Sequence, residues 1–455
     1  MISVNGKKVM IIGMAKSGIA LAKVLIHQGA HVTAYDSKKA ESMQEGILEL
    51  GDSVEWQLGV DATELVERHD IVMISPGVPI DIAPLNHARE LEIPIIGEVE
   101  YASTLNNAPI AAITGTNGKT TTTALLGEIM ALTGKKTYVV GNIGIPFISV
   151  AENTKKDDVV VAEISSFQME TADTFHPRAA AVLNLSEDHL NRHKTMQNYI
   201  DCKARIFARM TGSDTLVLNM DDPLTYALKD RANCSVSYFS RKSIVPFGAC
   251  VIDGRIKYVK EGKMIDVIGC RELQIPGDHN LENALAATAL AYAMNADTDV
   301  VRKGLRDFKG VAHRIETVGE VKGVRFINDS KGTNCDATLR AVHAMDRPTV
   351  LLLGGYDKGA DFIPLFRDLP DTIREIVALG ATRQRVMDNA LSCGIPCPVH
   401  ICDGSFEDAV RFAFSLCEPG YNLLLSPASA SWDMFDNFEQ RGDVFREIAF
   451  KLDSK

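Results

Sequence analysis

No uninterrupted apolar stretch in this 455-residue chain approaches the roughly 20 residues that span a bilayer, so no membrane insertion is expected. The N-terminus also lacks the basic-then-apolar pattern of a secretory signal, which points to a cytoplasmic protein. A clustered excess of basic residues is missing too. Lys and Arg number 48 against 59 Asp and Glu, for a net charge of -11, which argues against a nucleic-acid partner but leaves room for a small anionic ligand. The nine cysteines are an odd number with no CxxC pair. Neither a disulfide framework nor a zinc site follows, and they read as reduced thiols. Short internal repeats and low-complexity tracts are also absent, which removes solenoid and linker architectures.

What is present is an ordinary soluble balance, 46% hydrophobic and 24% charged, on a length that suggests about three domains. The first hundred residues alternate short β-rich runs with helical patterns: KKVMIIG, SGIALAKVLIHQG, HVTAYD, then DIVMISPG. That rhythm predicts parallel βαβ units. A second cycle opens at PIAAITG and runs through DDVVVAEIS and RAAAVLNLS, apolar runs of the kind found in buried central strands. A polar, β-leaning stretch covers 233–275, and HNLENALAATALAYAM follows as a long helical period. The third cycle, from near Ala312, places strands at GVRFIND, PTVLLLGG, EIVALG and YNLLLSP. The expected class is α/β, with a Rossmann-like N-terminal domain over 1–98, a central parallel-sheet domain of the phosphate-loop ATPase kind over 99–310, and a Rossmann-like C-terminal domain over 311–455. Without flexible linkers, the domains are expected to meet across a shared cleft.

The strongest local signal is ITGTNGKTTTTALL, where an apolar strand runs through Gly115 and Gly118 into Lys119, Thr120 and a helix. Glycines let backbone N–H groups approach phosphate oxygens, the helix N-terminus favours anions, Lys119 adds a point charge, and the Thr120 hydroxyl suits Mg²⁺. Ile113 stands at the first glycine position of the common GxxxxGK[ST] form, and the alternative is a structural glycine turn. GMAKSG resembles a dinucleotide turn with Ala15 in place of the middle glycine. Asp36 and Ser75-Pro76-Gly77 fall at strand C-terminal ends, where such sheets bind ligands. A structural βα turn accounts for GMAKSG equally well.

Glu163 closes VVVAEIS and His189 follows AAAVLNLSEDH, so both should project at the sheet edge that carries the phosphate loop. A carboxylate suits Mg²⁺ better than an imidazole does. Lys203 shares a helical face with Tyr199, Cys202, Ile206, Phe207 and Met210, an unusual place for lysine. Either its stem covers apolar surface while the amine reaches water, or it is a partly buried amine with a perturbed pKa. Four polar clusters, HRIE, NDSKGTN, GGYDKGADF and SPASASWDMFDNFEQRG, sit at or just beyond strand ends in the third cycle. Together they suggest a site, although each alone could be a capped loop.

Taken in order, GTNGKTTT, EISSFQME, LNLSEDHLNRH, HNLENALAA, HRIE and NDSKGTN resemble the Mur ligases over essentially the whole chain. SPGVP and the SPASASWDMFDNFEQRG tail are similar to the D-glutamate-adding branch of that family. The resemblance implies a ligase that uses ATP and Mg²⁺ to join D-glutamate to UDP-N-acetylmuramoyl-L-alanine through an acyl phosphate, with a monomer expected. It implies ATP binding by Gly115, Thr116, Asn117, Gly118, Lys119, Thr120, Thr121, Asn283, Arg314 and Asp329. Metal would be held by Thr120, Glu163, His189 and Lys203, the last as a CO₂-derived carbamate. The nucleotide-linked acceptor would meet Ala15, Lys16, Ser17, Asp36, Ser75, Pro76, Gly77, Asn142, Ser165 and Gln168. D-Glutamate would meet Thr333, Lys358, Ser431 and Phe438, and the catalytic set would be Lys119, Glu163, His189, Lys203, Arg314 and Lys331.

Overall fold

The computed structural model describes residues 2–453 apart from Pro276 and Lys358. The chain divides into two compact bodies, one of Met1–Leu273 with His279–Phe308 and one of Gln274–Asp278 with Lys309–Lys455.

The first body holds two sheets. The N-terminal one contains β1 (Lys8–Ile12), β2 (His31–Asp36), β3 (Glu55–Leu58), β4 (Ile71–Ile74) and β5 (Ile95–Gly97) in the order β3-β2-β1-β4-β5, with every pairing parallel. This is the doubly wound order whose ligand crevice opens where the winding reverses, beside the ends of β1 and β4. The strands β6 (Ile110–Thr114), β7 (Thr137–Gly141), β8 (Val159–Glu163), β9 (Ala179–Val182) and β10 (Thr215–Asn219) are the parallel part of the second sheet. The stretch at 233–275 extends that same sheet as β11 (Ser235–Ser240), β12 (Gly248–Ile252), β13 (Arg255–Lys260) and β14 (Lys263–Gly269), turning antiparallel only from β12 onward. The resulting order is β14-β13-β12-β11-β10-β9-β6-β8-β7.

Central strands such as β6 and β8 are buried at every position, as expected where helices cover both faces. One apolar core joins the two sheets. It runs from Leu21, Ala22 and Leu25 of the helix Lys16–His27 to Phe147 and Ile148 beside the central sheet. Removing such side chains from water at about 25 cal/mol per Å² is the main force holding the two sheets as one body.

The second body is built on β15 (Glu316–Val321), β16 (Val324–Asn328), β17 (Thr349–Gly354), β18 (Ile373–Leu379), β19 (Val399–Ile401) and β20 (Asn422–Leu425), in the order β15-β16-β20-β17-β18-β19. Only β15 is antiparallel. Separate apolar clusters cover its two faces, one around Phe326 and Phe445 and the other around Leu351 and Phe362. Each polar cluster of the third cycle except HRIE follows the C-terminal end of a parallel strand, as the sequence reading expects.

Candidate active site

The loop after β6 enters the helix Lys119–Ala131 at Gly118, whose φ is +82°. A Cβ there would lie 2.2 Å from Asn283 Oδ1, so only glycine fits this left-handed, closely approached position. Asn283 also accepts from the Thr122 hydroxyl at 3.3 Å, which places it against the phosphate loop. Thr116 accepts from Ser186 N at 3.0 Å, and Asn117 N donates to Asn184 Oδ1 at 2.8 Å. The Lys119 amine bends back to the carbonyl oxygens of Gly115 and Thr116 at 2.9 and 2.8 Å. Thr120 and Thr121 are buried in the first helical turn.

Lys203 lies on the helix Met196–Ala204 and is 1% exposed. Its amine donates to Gly115 O at 2.7 Å and sits 3.5 Å from Thr114 Oγ1. The reading in which it reaches water is therefore corrected: the face it shares with Tyr199, Ile206 and Phe207 is buried, and the amine is buried with them. Burial, and then neighbouring Lys119, push the amine well below its ordinary pKa against the pull of Cys202, Asp188 and Glu163.

Glu163 ends β8 in register with Ile113 of β6, so its carboxylate emerges beside the phosphate loop. Oε1 accepts from Asn142 Nδ2 at 2.8 Å, whereas the buried Oε2 has no hydrogen-bond partner among the described residues. A buried carboxylate oxygen left unmatched is costly, and a hard cation beside the phosphate loop is the partner that fits it. His189 holds a left-handed φ of +53° with its ring 4.8 Å from Phe167. Burial chiefly, then Lys119, Lys203 and Arg192, lower its pKa against the pull of Asp188. Lys119, Lys203 and His189 thus bear on one another, and the charge of Lys119 disfavours protonation of the other two.

At the reversal of the N-terminal sheet, the Ser75 hydroxyl donates to Gly13 O at 2.6 Å and Asp36 Oδ2 accepts from Met14 N at 2.9 Å. Ala15 and Lys16 line a neighbouring cavity of about 700 Å³ with Ile145 and Pro146. Ser17 follows on the same helix, Lys16–His27. Ser165 and Gln168 bond each other in a capping box at the helix Ser166–Met169, so both have a structural task. Asn142 stands with Glu163, to which it donates at 2.8 Å.

Arg192 was not singled out in the sequence. Its guanidinium lies 4.1 Å from the Phe167 ring, pairs with Glu170, and donates to Pro76 O at 3.3 Å and Val78 O at 2.8 Å. It therefore ties the loop after β4, with Pro76 and Gly77, to the segment that carries His189. The signal in the sequence was its place in LNRH, three residues after His189.

In the second body, buried Asp329 accepts from Ser426 Oγ at 2.6 Å and from Ile315 N at 3.2 Å. Burial raises its carboxyl to about 6, against Ser426 and the charge of Arg314. Lys331 Nζ lies 5.7 Å from the Phe438 ring, and Thr333 N donates to Lys331 O at 2.9 Å. Thr333 also lines a cavity of about 310 Å³ with Tyr356, Ala428, Ser429 and Ala430. Ser431 is buried next to that wall. Lys358 lies outside the described residues.

A phosphate-cradling loop, a buried amine and carboxylate beside it, and parallel sheets carrying polar loops at their C-terminal ends define an α/β enzyme that handles nucleotides. Comparison with known proteins then gives the family. Residues 7–97 match the Mur ligase MurD-like N-terminal domain, 113–291 the Mur ligase middle domain, and 313–429 the Mur ligase glutamate ligase domain. A UDP-N-acetylmuramoylalanine--D-glutamate ligase of Thermoanaerobacter sp. (strain X514) is 46% identical over 98% of this chain and 99% of its own. Ligases with that name from Pelotomaculum thermopropionicum and Clostridioides difficile are 46% and 41% identical, over 98% and 97% of this chain and 98% of each of theirs. Among solved structures, a UDP-N-acetylmuramate-alanine ligase of Thermotoga maritima superposes with a TM-score of 0.61 at 20% identity, covering 99% of this chain and 100% of its own. A pseudomurein peptide ligase of Methanothermus fervidus gives 0.60 at 20% identity, over 98% and 100%. These two share the fold. The chain belongs to the Mur ligase family, and it is an ATP-dependent ligase with the three α/β domains of that family.

Proposed function

We propose that the chain joins D-glutamate to UDP-N-acetylmuramoyl-L-alanine in peptidoglycan precursor synthesis, converting ATP to ADP and phosphate. Near-full-length likeness to ligases of that name supports the reaction. The observation that carries the chemistry is the Lys203 amine, buried 2.7 Å from Gly115 O on the phosphate loop. The reading is of a monomeric enzyme of the cytoplasm; among the described residues no helix is long and apolar enough to cross a membrane.

In this reading residues 1–98 hold the nucleotide of the acceptor, 99–310 hold ATP, and 311–455 hold the amino acid. The acceptor carboxylate attacks the γ-phosphorus of ATP, and ADP leaves. The D-glutamate amine then adds to the acyl carbon of the resulting acyl phosphate, loses a proton, and expels inorganic phosphate. Lys119 and the loop amides hold the β- and γ-phosphates, and Arg314 and Lys331 balance charge on the transferring group. Thr120, Glu163, His189 and Lys203 would hold Mg²⁺, which supplies charge neutralisation for the transfer.

A cationic Lys203 could not take part in that set. Burial and neighbouring Lys119 favour its neutral form, and a neutral amine can add to CO₂ and lose a proton to give an anionic carbamate oxygen. Thr333, Lys358, Ser431 and Phe438 would bind D-glutamate.

The test is ATP-dependent phosphate release with UDP-N-acetylmuramoyl-L-alanine, offering D-glutamate, L-glutamate, L-alanine, L-lysine and meso-diaminopimelate in turn and weighing the products. Turnover is expected with D-glutamate alone. Turnover with another amino acid would overturn the assignment of the amino-acid pocket, and no turnover would overturn the reaction.

A further inference from the structure

Arg441 is 1% exposed. Its four hydrogen bonds go to hydroxyl and carbonyl oxygens: Nε to Ser330 Oγ at 2.9 Å, one terminal nitrogen to Ser330 O at 2.8 Å, and the other to Ser429 O and Ala430 O at 3.1 and 3.2 Å. Asp433 and Asp329 act on it only through space, and burial brings the guanidinium to about 10, so it stays charged at neutral pH. A buried charge without a contacting counter-ion is expensive and needs a task.

Three loops meet on this one side chain. Ser330 precedes Lys331, and its hydroxyl passes the contact on by donating to Phe438 O at 2.8 Å. Ser429 and Ala430 precede Ser431 and form part of the wall of the 310 Å³ cavity. Gly355, after β17, approaches so closely that a Cβ would lie 3.3 Å from the guanidinium. The wall itself is bent by Ala428, whose φ of +50° is uncommon for a residue with a Cβ.

Arg441 is not among the residues lining the cavity, so it engages the carbonyl oxygens of Ser429 and Ala430 from behind the wall, that of Ala430 together with Tyr356 N at 2.9 Å. Free carbonyl oxygens on a pocket wall repel a carboxylate. Held on a buried cation they do not, and the cation adds attraction across a short, poorly screened distance.

We infer that Arg441 is a positioning residue that adapts the amino-acid pocket to an anionic side chain, by fixing the walls at Ser330, Ser429 and Ala430 and holding their carbonyl oxygens away from the ligand. This rests on the reading of that cavity as the amino-acid site. It names a specificity determinant that does not touch the substrate.

The test uses the full-length protein with Arg441→Met and Arg441→Lys, comparing D-glutamate with D-glutamine and recording KM for each amino acid and for the nucleotide acceptor. Arg441→Met should raise the D-glutamate KM about tenfold or more, leave the acceptor KM within about twofold, and lower the preference for D-glutamate over D-glutamine. Arg441→Lys keeps the charge and should restore part of that preference. If Arg441→Met does not fold, Ser330→Ala removes the relay to Phe438 and should shift the D-glutamate KM in the same direction. Turnover of D-glutamate with unchanged amino-acid KM and preference in these variants would overturn the inference alone. Absence of D-glutamate turnover in the unsubstituted protein would overturn the functional reading and this inference with it.

Discussion

The Lys203 amine donates to the carbonyl oxygen of Gly115 at 2.7 Å, so a helix lysine and the first glycine of the phosphate loop form one unit. Lys119 touches the same oxygen at 2.9 Å. Two amines converging on one carbonyl, beside a Glu163 oxygen with no partner among the described residues, make a site in which charge must be redistributed before a polyanion and a cation can both bind.

Replacing Lys203 with alanine removes the anionic ligand that a carbamate would supply. Turnover should fall on the order of 10³-fold, the scale of losing one electrostatic contributor to a phosphoryl transfer. Formate or acetate, small enough to enter the space left behind, should return part of it. Steady-state phosphate release with and without added carboxylate checks this, and undiminished activity would remove the carbamate from the mechanism.

Glu98 opens the helix Glu98–Leu105 and is fully buried, with Oε1 accepting from Ile148 N at 2.7 Å and Oε2 without a partner among the described residues. Burial raises its carboxyl from 4.5 to about 7. Since the folded state holds this proton more tightly than the unfolded state, stability from this group is lost as pH rises from about 4.5 to 7 and stays lost above. Glu98→Gln keeps an acceptor for Ile148 and carries no charge. Its advantage over the unsubstituted protein should grow across that window to at most about 3 kcal/mol. Urea unfolding at acidic and alkaline pH measures the difference, and a pH-independent gap would contradict the assignment.

The fold was legible wherever strands are fully buried: VMII, VVVA, AAAV and VLLLG are apolar runs on interior strands. It was less legible at the edges. EWQL of β3 and ETVGEV of β15 are half exposed and charged, so the pattern of a buried strand is missing, and the three-residue β5 and β19 are too short to show one. The phosphate loop could be read because its glycines, Lys119 and Thr120 are adjacent in the chain. Lys203 was ambiguous because a helical face does not reveal whether its far end meets water or protein. Arg441 shares a buried stripe with Phe445 and Ile448 at helical spacing, the same pattern as Lys203, and is as ambiguous in sequence. For Arg192 the sequence shows only nearness to His189, since its partners Pro76 and Val78 are brought to it by the packing of the first two sheets.

That packing gives Arg192 a testable task. Its two bonds to the loop after β4 and its contact with Phe167 hold the reversal point of the N-terminal sheet against the segment of His189. Arg192→Met should raise the KM for the nucleotide acceptor about tenfold, the size of effect expected from losing one or two hydrogen bonds to a charged group. The KM for ATP should move much less, because Asn283 and the loop amides are untouched. Equal changes in both constants would mean that the residue acts on folding rather than on the acceptor site.

Glu163 offers a test of the metal. Its Oε1 is held by Asn142 and its buried Oε2 has no partner among the described residues, so the carboxylate is oriented before any ligand arrives. Glu163→Gln keeps one oxygen that can accept from Asn142 and replaces the unmatched one with an amide nitrogen, which cannot ligate Mg²⁺. The Mg²⁺ concentration giving half-maximal turnover should therefore rise by about tenfold or more, with part of the lost rate recovered as Mg²⁺ is increased. The unfolding midpoint should hold steady or rise slightly, since a buried charge has been removed. A rate that falls without any change in Mg²⁺ dependence would assign Glu163 to the acceptor instead of the cation, and would leave Thr120 and Lys203 to hold the metal.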